Sequence, residues 1–457
     1  MTNKQAITLF CAAVISMSTA VLLIEFYQLL PAIAWTIAIT LLTVILWVTE
    51  AVPIPVASLI PFVFFPFAGV LSHKDVSSAL GSHVILLLMG GFMLSKSLEK
   101  SGVHRRLAIY MVKLVGVDSG KRVVIGFMVA SAFLSMWISN TATTLILLPI
   151  ALAVLQGIED KTMVMALMLG IAYAASLGGV GTPIGSPPNI IFISIYQETV
   201  GKEFDFIAWM KVGVPVVIVG IPLMAIWLTR NISTELVFNI PEQEEWRSEE
   251  KRVLLIFGLV AIAWMTRKLW SEYFALGSVG DSTIALLGVV LMFITPRGEK
   301  KGALLDWKTA SSIPWGMLLL FAGGIAIAKA FMVSGLSVML GGMLTGVSVL
   351  PIYVLILLLC LAVVFMSEMT SNTATATLLM PILATAGMAA GIDPQILMMP
   401  AAMSASCAFM MPVATPPNAI VYGTNKFHIK EMAREGLVLN IMMAFVVSGV
   451  GYFFLAV

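Results

Sequence analysis

Ser139-Asn140-Thr141-Ala142-Thr143-Thr144 and Ser371-Asn372-Thr373-Ala374-Thr375-Ala376 are two copies of one polar stretch, each set inside a long apolar run. Leucine-rich sequence and a proline follow each copy, and Pro149 and Pro381 keep the same offset of 232 residues. Gly90, Gly91, Lys96 and Gly102 return as Gly323, Gly324, Lys329 and Gly335 at offset 233. Thr182-Pro183-Ile184-Gly185-Ser186-Pro187-Pro188-Asn189 answers to Met411-Pro412-Val413-Ala414-Thr415-Pro416-Pro417-Asn418 at offset 229. Offsets that drift by so little over such a distance mark an internal duplication. Short polar breaks at matching places in two apolar halves point to a ligand site at membrane depth.

The composition agrees. Of 457 residues 60% are hydrophobic and 11% charged, with a mean hydropathy of +1.01, where soluble domains carry roughly 25% charged residues. Lipid cannot satisfy free amide groups, so the expected fold is all-α and polytopic. The net charge of +2 says nothing about nucleic acid, since the basic residues sit in short loops between spans, and no nucleic-acid partner is expected. Cys11, Cys360 and Cys407 sit in apolar runs without pairing or CxxC spacing, and His73, His83, His104 and His428 share no metal-ligand spacing. Residues Met1–Ala20 read as a retained first span rather than a cleaved leader.

Apolar runs place spans at Ile7–Ile24, Ile33–Glu50, Val56–Leu71 and Val84–Leu98, the last leading into a basic amphipathic piece, Glu99–Val115. Val123–Ile138 with Thr141–Leu155, and Pro351–Met366 with Ala374–Ala390, are short pairs joined at the polar motifs. They read as hairpins that enter and leave by one face. Thr162–Gln197, interrupted at Gly178–Pro188, and Pro394–Tyr422 read as broken spans. Trp209–Thr229, Val253–Trp270, Thr283–Thr295, Ile313–Met332 and Leu437–Val457 complete the set. With the N-terminus inside, Lys74, Lys202, Lys211, Arg267 and Lys268 face out and Lys329 lies in a span. The other 20 of the 26 lysines and arginines fall inside, from Lys4 through Arg297, Lys300, Lys301 and Lys308 to Arg434. Five crossings separate the hairpins, so the second half is inverted relative to the first. Inverted repeats with broken helices belong to secondary transporters far more than to receptors or membrane enzymes.

The breaks supply hard oxygen donors: Ser135, Ser139, Asn140, Thr141, Thr143 and Thr144 in one half, and Ser367, Ser371, Asn372, Thr373, Thr375 and Thr377 in the other. Such donors suit sodium better than a transition metal. No charged residue lies between Arg122 and Glu159, so an anion here meets helix N-termini and bound cations rather than basic side chains. Two related half-sites suggest a substrate with two anionic groups. Thr144 and Thr377, taken singly, read as interhelical contacts. Three prolines within six residues exceed what a kink needs, which marks Gly185 and Ser186 as site residues. Glu368 is the one acid inside a hairpin; coupling to a cation or proton, solvation at the hairpin cavity, or pairing with a lysine are its open roles. Glu50 reads as an interfacial cap, and Lys96 and Lys329 as snorkelling at span ends. No Walker A pattern is present, and the spans contain no nucleophile with an acid–base pair, so an ATP-driven pump and an enzyme are not expected.

The paired Ser-Asn-Thr motifs, Thr415-Pro416-Pro417-Asn418 with its Ser186-Pro187-Pro188-Asn189 partner, and Thr49-Glu50-Ala51-Val52-Pro53-Ile54-Pro55-Val56 resemble the divalent anion:sodium symporter family from about Trp35 to the end of the chain. The resemblance implies eleven spans plus two re-entrant hairpins in a plasma-membrane homodimer, with a cytoplasmic N-terminus and an external C-terminus. A scaffold (1–115 and 209–350, each with an arm helix) would hold a transport part (116–208 and 351–457) that carries the site as an elevator. Motif position implies one sodium site at Ser135, Ser139, Asn140 and the Gly185 backbone, and another at Ser367, Thr370, Asn372 and the Ala414 backbone. Substrate would meet Asn140, Thr141 and Ser186 on one side and Asn372, Thr373, Thr415 and Pro416 on the other. The implied cargo is a C4-dicarboxylate such as succinate, fumarate or malate with co-transported Na+. Citrate, sulfate or sodium-independent exchange are the alternatives. The symmetry is imperfect at Gly185 against Ala414 and Ser186 against Thr415.

Overall fold

The computed structural model describes residues 3–158, 160–232, 238, 245–298, 301–343 and 350–456. Met1, Glu159, Lys300 and Val457 lie outside the described residues. The described elements are helical. Among them α1 (Asn3–Glu25), α2 (Pro31–Thr49), α6 (His83–Ser101), α10 (Lys161–Gly178), α12 (Phe206–Thr229), α13 (Ser248–Tyr273), α16 (Trp315–Ser334), α18 (Ile352–Met369) and α22 (Ile429–Leu455) supply nine helical stretches long and apolar enough to cross a bilayer.

The third expected span is corrected. Val56–Leu71 is not one helix but two short ones, α3 (Ile54–Ala57) and α4 (Ile60–Phe67), followed by α5 (His73–Leu80). Pro53, Pro55, Pro61 and Pro66 remove backbone donors along this run. The helix interrupts at Ser58, whose hydroxyl donates to Ile54 O at 2.8 Å and accepts from the Trp47 indole at 2.9 Å. At 1.5 Å per residue, α4 rises only about 12 Å, well under the ~30 Å of a hydrocarbon core.

The duplication is visible in the helix ends. α6 and α16 both stop at a left-handed glycine, Gly102 (φ 78°) and Gly335 (φ 82°), and each hands over to a shorter helix, α7 (Val103–Val115) and α17 (Leu336–Met343). A side chain at either glycine would be strained, which explains their recurrence at offset 233. Lys96 and Lys329 do not merely snorkel. Lys96 pairs with Glu99 at 2.6 Å, and Lys329 reaches Asp75 at 3.0 Å.

Beyond these lie the two hairpins, α8 (Gly120–Ser135) with α9 (Asn140–Val154), and α18 with α19 (Asn372–Ala389). The broken spans are α10 with α11 (Pro187–Val200), and α20 (Gln395–Ala405) with α21 (Pro416–Tyr422). α14 (Asp281–Ile294) packs on α6, and α15 (Trp307–Ala310) is a single turn against it. The halves interlock: α11 packs on α19 and α20, while α21 packs on α9 and α10. Each hairpin therefore rests on the far part of the other half's broken helix.

Charge is kept to helix ends. One cluster joins Arg267 to Glu203 and Asp281 (2.8 and 2.9 Å) and Lys268 to Asp205 (2.6 Å), beside a polar cavity of about 440 Å³ that includes His83 and Gln197. Another joins Arg106, Arg247 and Arg297 to Glu249 and Glu250, and so ties α7 to the start of α13.

Helices cross closely where the breaks begin. A Cβ on Gly178 would collide with the Ala132 carbonyl of α8, and one on Gly436 with the Phe409 carbonyl, whereas Gly449 of α22 has open space around it. Gly178→Ala is expected to cost about 1–3 kcal/mol through overpacking. Gly449→Ala, on an open helix face, should be neutral or stabilising by up to about 1 kcal/mol. Thermal unfolding of the two variants in detergent checks the contrast.

Candidate functional site: two facing breaks

The first half-site is built where α8 turns into α9. Ser139 caps α9, its hydroxyl accepting from Ala142 N at 3.2 Å, and this leaves Asn140 and Thr141 half-buried in the first turn. The Asn140 carboxamide reaches Ser135 Oγ at 2.6 Å, Gly185 O at 3.1 Å and Ala175 O at 3.2 Å, to which its nitrogen donates when it faces inward. A Cβ on Gly179 would stand 2.6 Å from Asn140 Oδ1 and 2.9 Å from Gly185 O. A Cβ on Gly185 would stand 2.6 Å from Gly179 O and 2.9 Å from Ser135 O. Main-chain oxygens of Ser135, Gly179 and Gly185 thus gather around Asn140, and only glycine leaves room for them. Hard neutral oxygens at this density suit a sodium ion.

The second half-site has the same plan with different contacts. Ser371 begins α19, with Asn372 and Thr373 half-buried after it. Asn372 Oδ1 is buried without a hydrogen-bond partner. Thr370 Oγ1 donates to Met366 O (2.9 Å) or meets Thr375 Oγ1 (2.6 Å), and buried Ser367 bonds Val364 O (2.9 Å). Gly179 and Gly185 correspond to Ala408 and Ala414, so the close approach of the first half is not repeated. Thr144 and Thr377 turn back to carbonyls four residues earlier, Asn140 O and Thr373 O, as interior helix residues do.

Ser186 and Thr415 are the N-caps of α11 and α21, both 3% exposed, and Pro416 is exposed at the first position of α21. The Thr415 hydroxyl caps its own helix by accepting from Asn418 N at 3.2 Å. The Ser186 hydroxyl instead meets Ser406 Oγ across the pseudo-symmetry at 2.8 Å. Ser406 therefore joins the two breaks, a role no local motif announces. Helices α9, α11, α19 and α21 each begin at a break, and stretches 123–158, 162–201 and 330–425 contain neither lysine nor arginine. An anion there would meet helix dipoles rather than basic side chains, and α11 and α21, each opening on two prolines, offer it no N–H from their first two residues.

Glu368 does not pair with a lysine. Its carboxylate accepts from Met410 N (2.8 Å), Met411 N (2.9 Å) and the Asn440 amide (2.7 Å), which binds α18 to the second break and to α22. The corresponding tie in the first half has reversed polarity: the Thr182 hydroxyl donates to Met136 O at 2.5 Å. Sequence reading also passed over Asn189 and Asn418, both fully buried with their amides bonded to break carbonyls. Their signal was the third letter of the repeated Pro-Pro-Asn.

An inverted pair of hairpins facing an inverted pair of broken helices defines a polytopic secondary transporter. A family model described as Citrate transporter (CitMHS) matches residues 44–398. The sodium-dependent dicarboxylate transporter SdcS of Staphylococcus saprophyticus is 40% identical over 444 residues, spanning 92% of this chain and 85% of the relative. SdcS of Staphylococcus aureus strain MRSA252 is 39% identical over 449 residues, 93% and 86% respectively. In fold, the chain is similar to the crystal structure of the YdaH transporter of Alcanivorax borkumensis, with a TM-score of 0.56 at 15% identity over 83% of this chain and 86% of that one. The chain belongs to the citrate-transporter family as a multi-pass plasma-membrane protein of the divalent anion:sodium symporter type.

Glu368→Ala would leave the buried Asn440 amide and two part-buried backbone donors unpaired, at up to about 1–3 kcal/mol each before relaxation. A large fall in thermal midpoint is expected, with Glu368→Gln, which keeps one acceptor, falling less.

Proposed function

We propose that the protein is a sodium-coupled importer of C4-dicarboxylates, succinate, fumarate or malate, working as a homodimer by elevator-type alternating access. The observation that carries this reading is the oxygen cluster of Ser135, Asn140, Gly179 and Gly185. A Cβ on Gly185 would stand 2.6 Å from Gly179 O and 2.9 Å from Ser135 O, so main-chain oxygens converge on a space that only glycine leaves open. Ser135, Ser139, Asn140 and the Gly185 backbone form one sodium site; Ser367, Thr370, Asn372 and the Ala414 backbone form the other. Substrate carboxylates meet Asn140, Thr141 and Ser186 from one half and Asn372, Thr373, Thr415 and Pro416 from the other. Bound sodium and four helix starts offset their charge in a region without basic side chains. The names of the SdcS relatives support both the ion and the substrate class.

Residues 116–208 and 351–457 form the moving part and 1–115 and 209–350 the scaffold. The excess of basic loop residues on one side sets the N-terminus in the cytoplasm and the C-terminus outside. A dianion entering a negative-inside cell is opposed by about 4.6 kcal/mol per 100 mV. Two sodium ions cancel that opposition, and a third makes import electrogenic.

Labelled-succinate uptake into proteoliposomes tests the reading. Uptake is expected with a sodium gradient alone, competed by fumarate and malate, and Asn140→Ala and Asn372→Ala should each reduce it at least tenfold with the protein still monodisperse. Uptake driven equally well by potassium or protons would overturn the coupling. Sodium-driven citrate uptake without succinate uptake would change the substrate.

A further inference from the structure

The Pro-Pro-Asn triplets end in two asparagines whose surroundings match bond for bond. Asn189 Nδ2 donates to Gly179 O at 2.8 Å and Thr182 O at 2.7 Å. Asn418 Nδ2 donates to Ala408 O at 3.0 Å and Met411 O at 3.1 Å. The accepting carbonyls stand ten and seven residues before each asparagine, and all three positions are related by offset 229. Both side chains are fully buried. Elsewhere the halves have diverged, from Gly179 and Gly185 to Ala408 and Ala414 and from Ser186 to Thr415. The carboxamide contact has not.

Local chemistry explains why a carboxamide is needed. α10 ends at Gly178 and α20 at Ala405, so the carbonyls just beyond lose their helical donors. The next helix cannot supply replacements from its first two residues, because Pro187 and Pro188, like Pro416 and Pro417, have no N–H. The third residue of that helix is the asparagine. Its amide nitrogen carries two hydrogens in one plane: one goes to the carbonyl just past the helix end (Gly179 O or Ala408 O), the other to Thr182 O or Met411 O, which also accepts from Gly185 N or Ala414 N. The opposite amide orientation would set its oxygen against two acceptors, so the direction of the carboxamide is fixed. The first of these carbonyls belongs to the oxygen cluster: Gly179 O lies 2.6 Å from the position of a Cβ on Gly185, beside Ser135 O and Asn140. Asn189 therefore holds one wall of that cluster from behind.

We propose that Asn189 and Asn418 are positioning residues for the two cation sites, fixing the break carbonyls at the spacing that a sodium ion needs. The inference rests on the sodium-coupled reading above. A carbonyl held by one donor keeps a second lone pair for the ion, so the clamp and the cation share the oxygen rather than compete for it. Without the clamp, Gly179 O turns toward other donors, and the oxygen cluster around the ion is no longer pre-organised.

The test is sodium binding to purified protein in detergent, read as the thermal unfolding midpoint through the ten tryptophans during titration of sodium chloride against choline chloride. In the parent protein, sodium should raise the midpoint in a saturable way. In Asn189→Ala and Asn418→Ala the sodium half-saturation concentration should rise at least tenfold, while the midpoint in choline moves by only a few degrees. Asn189→Asp, equal in size but without the two donors, should behave like Asn189→Ala. Asn189→Ser, with one donor, should fall between. Half-saturation within twofold of the parent in the alanine variants overturns the inference and leaves the sodium reading standing. No sodium effect on the parent overturns the sodium reading itself, and the inference with it. If every Asn189 variant fails to fold in sodium and choline alike, the clamp is a folding element and the positioning role is wrong.

Discussion

A helix that breaks inside a bilayer releases amide and carbonyl groups where no water can take them. That constraint governs this protein more than the packing of its apolar faces. Each break answers it with groups from its own helix pair and from a hairpin. Asn189 and Asn418 take two carbonyls apiece, Thr182 reaches Met136 O, and Glu368 takes the amides of Met410 and Met411. Hairpins and breaks are therefore one structure. A hairpin tip displaced from its break would strand polar groups on both sides, so any movement that keeps the site intact must carry them together.

Much of this was legible in the sequence because the signal is repeated and local. The duplicated Ser-Asn-Thr motifs placed the hairpin turns within a few residues, and Gly178–Pro188 marked the first break, which runs from the end of α10 at Gly178 to the start of α11 at Pro187. Gly102 and Gly335 stood out only as a repeated pair, and their left-handed φ at two helix ends belongs to the structure. The third span misled because hydropathy counts apolar residues and does not count donors, and its prolines removed the donors a continuous helix requires. Glu368 was read through its charge, with a lysine, solvent or an ion as partners. Its partners are backbone amides about 42 residues further on, which no side-chain pattern predicts. Ser406 was invisible for the same reason: its partner lies 220 residues away and its own neighbourhood carries no motif.

The two halves are related but no longer equal. Glycines at 179 and 185 admit close oxygens in the first half, while alanines at 408 and 414 occupy that space in the second. The hairpin tie is a neutral hydroxyl-to-carbonyl bond in one half and a carboxylate-to-amide set in the other. Ser186 looks across to Ser406, whereas Thr415 caps its own helix. An inverted repeat need only be symmetric in its backbone path to present one site to two sides. Its side chains are free to make one half-site tighter and the other more forgiving.

The interlock of α11 with α19 and α20, and of α21 with α9 and α10, also dictates a schedule. Ser186 leaves the ribosome 220 residues before Ser406, which at about 5–20 residues per second is roughly 10–45 s. During that interval the first hairpin and the first break reside in the membrane without the helices that will cover them. Bonds within the earlier half, such as Thr182 to Met136, do not wait for the later half, which closes on what they have already shaped. The same short contacts that shape the finished protein are those that can form while it is still half made.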